Sequence, residues 1–370
     1  MSLALVCAAT GLAADPSSSS PDAAKHDSTV AAAVDAALAG ATAGPTVGTP
    51  LPTASPADPS GSSGASSTPS PTPTPTPTPT ITPPPRAATV NARVPSTVLS
   101  SLRLVTTDFP APYHDGCHVV IGGRMPAKSC LYGNLASRTT VAIYGDSHAL
   151  SWFPAILRMV NSHGWRLLEV TMAACTPSDI TPYAPSTGVM TACITFRKAA
   201  IAKLRKYHPT VIIVAGTRGF ETVDRNGHVL TGAARTTAWV AGMYRTINAL
   251  LPATSRLVLM ADTPNSRYSS PPGCLAAHPT SELACATPVS SAISYTWLNT
   301  EFHVALRKRV AFIDPERWVC PTSPCPLVRG TNVVYRNAGH ITAKYAATMW
   351  RKLDAAVSSI LAKPGTIVGP

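Results

Sequence analysis

The sequence predicts a three-layer α/β/α sandwich built on a five-stranded parallel sheet, and two observations carry that prediction. Past Asn91, short β-branched runs alternate with longer stretches of helical periodicity. Right-handed crossovers between parallel strands then place helices on both faces of the sheet. A third observation separates this part from what precedes it. The first 86 residues are dominated by Ser, Thr, Ala, Gly and Pro and contain almost nothing that can build a core.

The five strands are expected at Thr140 to Tyr144, Arg166 to Thr171, Thr210 to Ala215, Arg256 to Ala261 and Val310 to Ile313. Between them the pattern predicts a helix that opens after Ser147, carries Phe153, Ile156, Leu157 and Val160 on one face, and stops at Gly164. Further helices are expected from Cys193 to Tyr207 before Pro209, from Thr236 to Leu251 before Pro252, from Val289 to Lys308, and from Thr342 to Leu361. In such a sheet, ligands bind beyond the carboxyl ends of the strands where the strand order reverses.

Ahead of this domain, residues 1–14 are apolar and end in small residues. They read as a secretory signal, or as the end of a transmembrane helix whose earlier part is missing. Residues 15–90 read as a linker, Pro-, Thr- and Ser-rich from Ala41 and ending in a Pro-Thr repeat from Pro71 to Thr80. That composition favours an extended polyproline II spacer. The folded domain is assigned to 91–370, outside the cytoplasm, secreted or tethered to membrane or wall.

After Arg86, 28 Lys and Arg stand against 13 Asp and Glu, a balance of +15 that suits an acidic polymer or an anionic surface. Nucleic acid is not expected as a partner, because no helix-turn-helix, zinc-finger or RNA-binding signature occurs. Leaving Cys7 aside, eight cysteines fall into neighbouring pairs: Cys117 with Cys130, Cys175 with Cys193, Cys274 with Cys285, and Cys320 with Cys325. Eight cysteines allow 105 connectivities, and nearest-neighbour pairing is the simplest of them. Zinc is the competing explanation, but no CxxC spacing occurs and no histidine accompanies Cys320 and Cys325. Neither metal nor cofactor is expected.

Chemistry concentrates in two segments. Tyr144-Gly145-Asp146-Ser147-His148 lies where the first strand becomes a helix, so a glycine permits a sharp bend and helix-terminal amides lie near a hydroxyl. Tyr335-Arg336-Asn337-Ala338-Gly339-His340 brings a histidine to the start of the last helix. A serine hydroxyl becomes a competent nucleophile when an imidazole takes its proton. Asp146 reads as a structural group ordering the turn, since consecutive side chains rarely face one another. His148 reads as a packing or substrate contact, and Trp152 as a sugar platform or a core residue.

These segments resemble SGNH hydrolases, and more fully the extracytoplasmic SGNH domain attached to membrane acyltransferase-3 proteins, which O-acylate bacterial surface glycans. The resemblance rests on Gly145-Asp146-Ser147-His148 with Trp152-Phe153-Pro154, on Asp262-Thr263-Pro264 with Cys274-Leu275, on Cys320-Pro321 through Cys325-Pro326, and on Tyr335-Arg336 leading into His340-Ile341-Thr342. It implies an SGNH or flavodoxin-like fold, Ser147 as nucleophile and His340 as base. The implied reaction is transfer or hydrolysis of a short acyl group, acetyl first, on a cell-surface carbohydrate, with a multispanning membrane acyltransferase as partner. Two departures from the family pattern stand out. Asn337 occupies the place of an aspartate that would orient the imidazole, and Asp314 is an alternative acid. Gly216-Thr217-Arg218-Gly219 replaces Gly-x-Asn-Asp, leaving Gly216 and Arg218 as oxyanion or substrate-binding candidates. The alternative is a catalytically decayed glycan-binding or scaffolding module.

Overall fold

The computed structural model describes residues 93–368, so the expected leader and linker lie outside the described residues. Seven strands form one sheet: β1 (Leu131–Gly133), β2 (Thr140–Gly145), β3 (Arg166–Thr171), β4 (Val211–Ala215), β5 (Arg256–Met260), β6 (Ala311–Ile313) and β7 (Ile367–Val368). Their spatial order is β1-β3-β2-β4-β5-β6-β7. All pairings are parallel except that of β1 with β3. The five expected strands form the centre. The two added edge strands are only three and two residues long, too short to leave a periodic signal in sequence.

Every residue of β2 is buried, and its side chains alternate between two cores. Val141 and Ile143 face one, Ala142 and Tyr144 the other. Strand β4 divides in the same way, with Val211 and Ile213 opposed to Ile212 and Val214. This period of two explains why the strands read as continuous apolar runs: both faces are covered. The first core is closed by α1 (Ser96–Val105), α2 (Ser147–Ser151), α3 (Phe153–Ser162) and, near the C-terminus, Ala343–Thr348 and Trp350–Ala362. The second is closed by α4 (Thr191–Tyr207), α5 (Gly232–Leu250) and α6 (Tyr295–Lys308).

Three expected helices are interrupted. The helix after Ser147 breaks at Trp152, because Pro154 in the first turn of α3 has no N–H to give to the preceding turn and its ring would clash there. The stretch 289–308 divides into Val289–Ala292 and α6, with Ile293 between them extended. The last helix divides at Met349.

After β2 the chain crosses to β3 on one side and then to β4 on the other, so the order reverses at the gap between β2 and β4. Ser147 emerges from the carboxyl end of β2 at this gap, with the Gly216–Gly219 loop across from it. At Gly145 (φ +153°) an added Cβ would collide with the carbonyl oxygen of Ala215. Only glycine lets the two strands run together up to the nucleophile turn.

All four neighbouring cysteine pairs are disulfide-bonded, with sequence separations of 13, 18, 11 and 5. Cys175–Cys193 ties the loop after β3 to the start of α4. Replacing both cysteines by serine is expected to lower unfolding stability by about 3 kcal/mol, from the chain entropy that the 18-residue closure removes from the unfolded state. Urea denaturation of the variant beside the parent measures this.

Candidate active site

Asp146 caps α2 and is almost fully buried. One carboxylate oxygen accepts the His148 amide at 2.8 Å and the other accepts the Thr217 amide at 2.8 Å. The carboxylate thus joins the nucleophile turn to the loop after β4. Burial pushes its pKa up, partly offset by His148 and by the two amides. The two bonds order the turn. Gly216 packs beside the clamp, for an added Cβ would lie 2.7 Å from Pro177 Cδ and 3.2 Å from an Asp146 oxygen.

Ser147 is the first residue of α2, and its Oγ lies 2.9 Å from His340 Nε2. His340 Nδ1 lies 2.9 Å from Asn337 Oδ1. The same Asn337 atom accepts the backbone amides of Gly339 at 3.2 Å and His340 at 3.0 Å. An atom that receives two N–H donors is the amide oxygen, so it also requires a proton on Nδ1 and leaves Nε2 to accept from the serine. The two backbone donors thus select the tautomer in which Nε2 can accept the serine proton. Asparagine supplies orientation without charge.

Asp314 does not reach His340. It lies after β6, buried, with Oδ1 accepting the Glu316 amide at 2.9 Å. Arg218 is likewise not available to an oxyanion. Its guanidinium ion-pairs with the buried Glu301 at 2.6 Å and Glu316 at 2.6 Å, and only about 10% of its own side chain is exposed. Burial works against the Arg218 charge but these carboxylates outweigh it and raise its pKa. Trp152 is core: 1% exposed, edge-to-face with Trp318 at a centroid distance of 6.0 Å. The sugar-platform reading of Trp152 is therefore replaced by the packing one.

The residue that sequence reasoning left out is Asp262, noted only as part of a resembling motif. Its Oδ1 accepts His148 Nδ1 at 2.7 Å and the Thr263 amide at 2.7 Å. Burial alone would lower the pKa of His148, but the charge and hydrogen bond of Asp262, helped by Asp146, raise it to about 9. At neutral pH His148 is an imidazolium. Its ring centroid stands 4.6 Å from that of His340, and it packs under Gly339, where an added Cβ would lie 3.1 Å from the ring. The only signal in sequence was the position of Asp262 just past the end of β5, at the same sheet edge as Ser147.

A second cation flanks the base. Arg336 is buried, its guanidinium carbon 4.4 Å from the Phe109 ring centroid and 5.5 Å from that of Tyr113. His118 is also buried, with Nδ1 2.7 Å from Thr171 Oγ1, and its pKa falls to about 4 through burial and then Arg336. Burial, followed by the positive charges of His148 and Arg336, lowers the pKa of His340 to about 3. The imidazole is therefore neutral and able to accept a proton across the working pH range.

The described residues offer one close group of three metal-ligating side chains, Cys117, Cys130 and Glu169, and both sulfurs are committed to a disulfide.

The sequence matches the profile of one protein family, described as "SGNH domain (fused to AT3 domains)", over residues 116–354. The chain belongs to this family. Among solved structures, the periplasmic domain of a Salmonella ser. Paratyphi A lipopolysaccharide acetyltransferase aligns at 14% identity, covering 61% of this chain and 85% of that one, with a TM-score of 0.49. A carbohydrate esterase family 2 enzyme from Corynascus thermopiles (Myceliophthora fergusii) aligns at 14% identity over 61% and 68% of the two chains, TM-score 0.35. A catalytic mutant of an acetylxylan esterase from Geobacillus stearothermophilus aligns at 11% identity over 63% and 98%, TM-score 0.33. No curated protein sequence matches the chain. At these identities and scores the structural likenesses carry no argument about substrate.

The electrostatics predict an unusual pH profile. A base with a pKa of about 3 places the acid limb of kcat/KM for an aryl acetate near pH 3, far below the usual limb near 6.5 for an imidazole. Asn337→Asp adds a negative charge beside Nδ1–H, which favours the imidazolium and raises the His340 pKa. The limb should move upward by one unit or more, and the rate at pH 7 should rise roughly tenfold to a hundredfold, short of the ~10⁴ that separates the two residues when the tautomer is also wrong. Initial rates between pH 3 and 8 for both proteins test this. Separately, Asp262→Ala leaves the buried His148 without its counter-charge, and is expected to cost about 3–5 kcal/mol of stability in chemical denaturation.

Proposed function

We propose that this SGNH domain transfers or hydrolyses short acyl groups, acetyl first among them, on hydroxyls of a cell-surface carbohydrate through an ester on Ser147. The observation that carries this reading is the chain of hydrogen bonds from Ser147 Oγ to His340 Nε2 and from Nδ1 to Asn337, each 2.9 Å long. The serine hydroxyl attacks the acyl carbonyl while its proton passes to Nε2. The Ser147 amide, the first of a helix and without an intrahelical partner, stands next to the developing oxyanion, with Gly216 as the second candidate donor. His340 returns the proton to the leaving oxygen. A sugar hydroxyl, or water in the hydrolytic direction, then gives its proton to Nε2 and attacks the ester, and Nε2 passes that proton to Oγ as Ser147 leaves.

The four disulfides support a location outside the reducing cytoplasm. No helix among the described residues is long and apolar enough to cross a membrane. Because the family is one in which this domain is fused to AT3 domains, the acyl group is proposed to arrive from a membrane acyltransferase. The residue that favours the second reading, a non-catalytic glycan-binding or scaffolding module, is Asn337. A fluorophosphonate probe separates the two. Covalent labelling of Ser147 at neutral pH, lost in Ser147→Ala and reduced at least a hundredfold in His340→Ala, is expected for the enzyme. An unlabelled, folded parent protein sinks the catalytic reading.

A further inference from the structure

Beside the dyad opens a cavity of about 500 Å³, bounded by His148, which follows Ser147, and by Ala338 and Gly339, which precede His340. Its other walls include Thr217, Arg235, Asn265, Ser294 and Trp297. Most charges in this wall are already balanced. His148 is paired with Asp262, and Arg218 with Glu301 and Glu316, of which Glu316 is pushed up to about 8 by burial despite Arg218. Arg235 differs. Among the described residues it makes no ion pair, and its Nε is shielded from solvent without a hydrogen-bond partner.

The position of Arg235 adds to its charge. It stands in the first turn of α5, a helix of 19 residues with no acidic residue in that turn. The Thr231 cap makes no side-chain hydrogen bond to the free amides. A cation at the positive end of a long helix is unfavourable for folding, and both fields attract a negative group into the cavity. In the same wall Trp297 supplies an aromatic plane, held edge-to-face by Trp239 at 5.5 Å, with Gly219 close enough that an added Cβ would lie 3.5 Å from the indole. A flat aromatic wall with hydroxyl and amide groups around it is what a sugar ring needs, and an unpaired guanidinium adds a demand for an anion.

We infer that this cavity is the acceptor subsite and that it takes an anionic sugar, whose carboxylate or phosphate pairs with Arg235 while the ring lies against Trp297. The inference rests on the acyl-transfer reading for its biological meaning, since the acceptor hydroxyl would reach the Ser147 ester from this side. It does not rest on it for its test, because binding of the sugar needs no acyl step.

The experiment is a calorimetric titration of the whole chain, without acyl donor, at about 0.15 M salt, where surface attraction is screened beyond ~8 Å. Three probes are compared: methyl glucoside, methyl glucuronoside and methyl glucoside 6-phosphate. At least one anionic sugar is expected to bind about tenfold more tightly than the neutral one, a typical return for one charge-assisted hydrogen bond. Which of the two binds better identifies the anion. Arg235→Gln should abolish the preference, and Arg235→Lys should keep part of it. Because Arg235 opposes the helix dipole, the Gln variant should melt no lower than the parent, which separates loss of binding from loss of fold. Equal affinity for all three sugars, no binding of any, or an anion preference that survives in Arg235→Gln overturns the inference.

Discussion

The buried carboxylate of Asp146 is the constraint on which the site is built. With one oxygen on the His148 amide and the other on the Thr217 amide, it locks two loops that leave adjacent parallel strands. The lock works because Gly145 lets β2 and β4 run side by side to their last residues. Once it is made, the Ser147 hydroxyl and the loop that walls the cavity hold fixed relative positions. His148, oriented by the same turn, can then reach Asp262 on the next strand, so three consecutive strands of the sheet are tied at one edge. A parallel sheet provides such an edge for free, since every strand ends there with its helix still to come.

Beside this frame, the hydrogen-bonded pair of Ser147 and His340 lies in a positive environment. A Ser-His-Asp site stabilises the imidazolium that forms during attack with a carboxylate. Here the group behind Nδ1 is a neutral amide, and His148 and Arg336 both disfavour the imidazolium. The cost is basicity, and the return is an imidazole that stays unprotonated in acid. In the proposed reaction the same cations would favour negative charge developing on the attacked carbonyl. The balance suits an activated ester or a donor with a good leaving group, for which proton transfer matters less than oxyanion stabilisation.

Much of this was legible in the sequence, and the reasons are physical. β2 to β6 announced themselves because strands buried on both faces are largely apolar, whereas β1 and β7 are edge pieces too short for any pattern. Ser147 and His340 were singled out because a nucleophile needs a turn at a strand end and a base needs a loop that returns to it, and the structure brings the two side chains to 2.9 Å. Asp262 was missed as a partner of His148 because the two lie 114 residues apart and nothing local marks them. Arg218 and Trp152 were each left with two readings for the opposite reason. Each has a chemistry that suits a substrate, and only the packing shows that Glu301 and Glu316 claim the first and Trp318 the second. The tautomer set by Asn337 could not be read from residue type at all, since it depends on two backbone amides.

The disulfides hold one more consequence. Along the chain each bond closes before the next pair begins, for Cys130 precedes Cys175, Cys193 precedes Cys274, and Cys285 precedes Cys320. A chain that emerges N-terminus first into an oxidising space therefore presents the eight thiols that follow Cys7 two at a time, each with its correct partner nearest and short loops to close. The order of emergence does the sorting, and the combinatorial problem posed by eight cysteines does not arise.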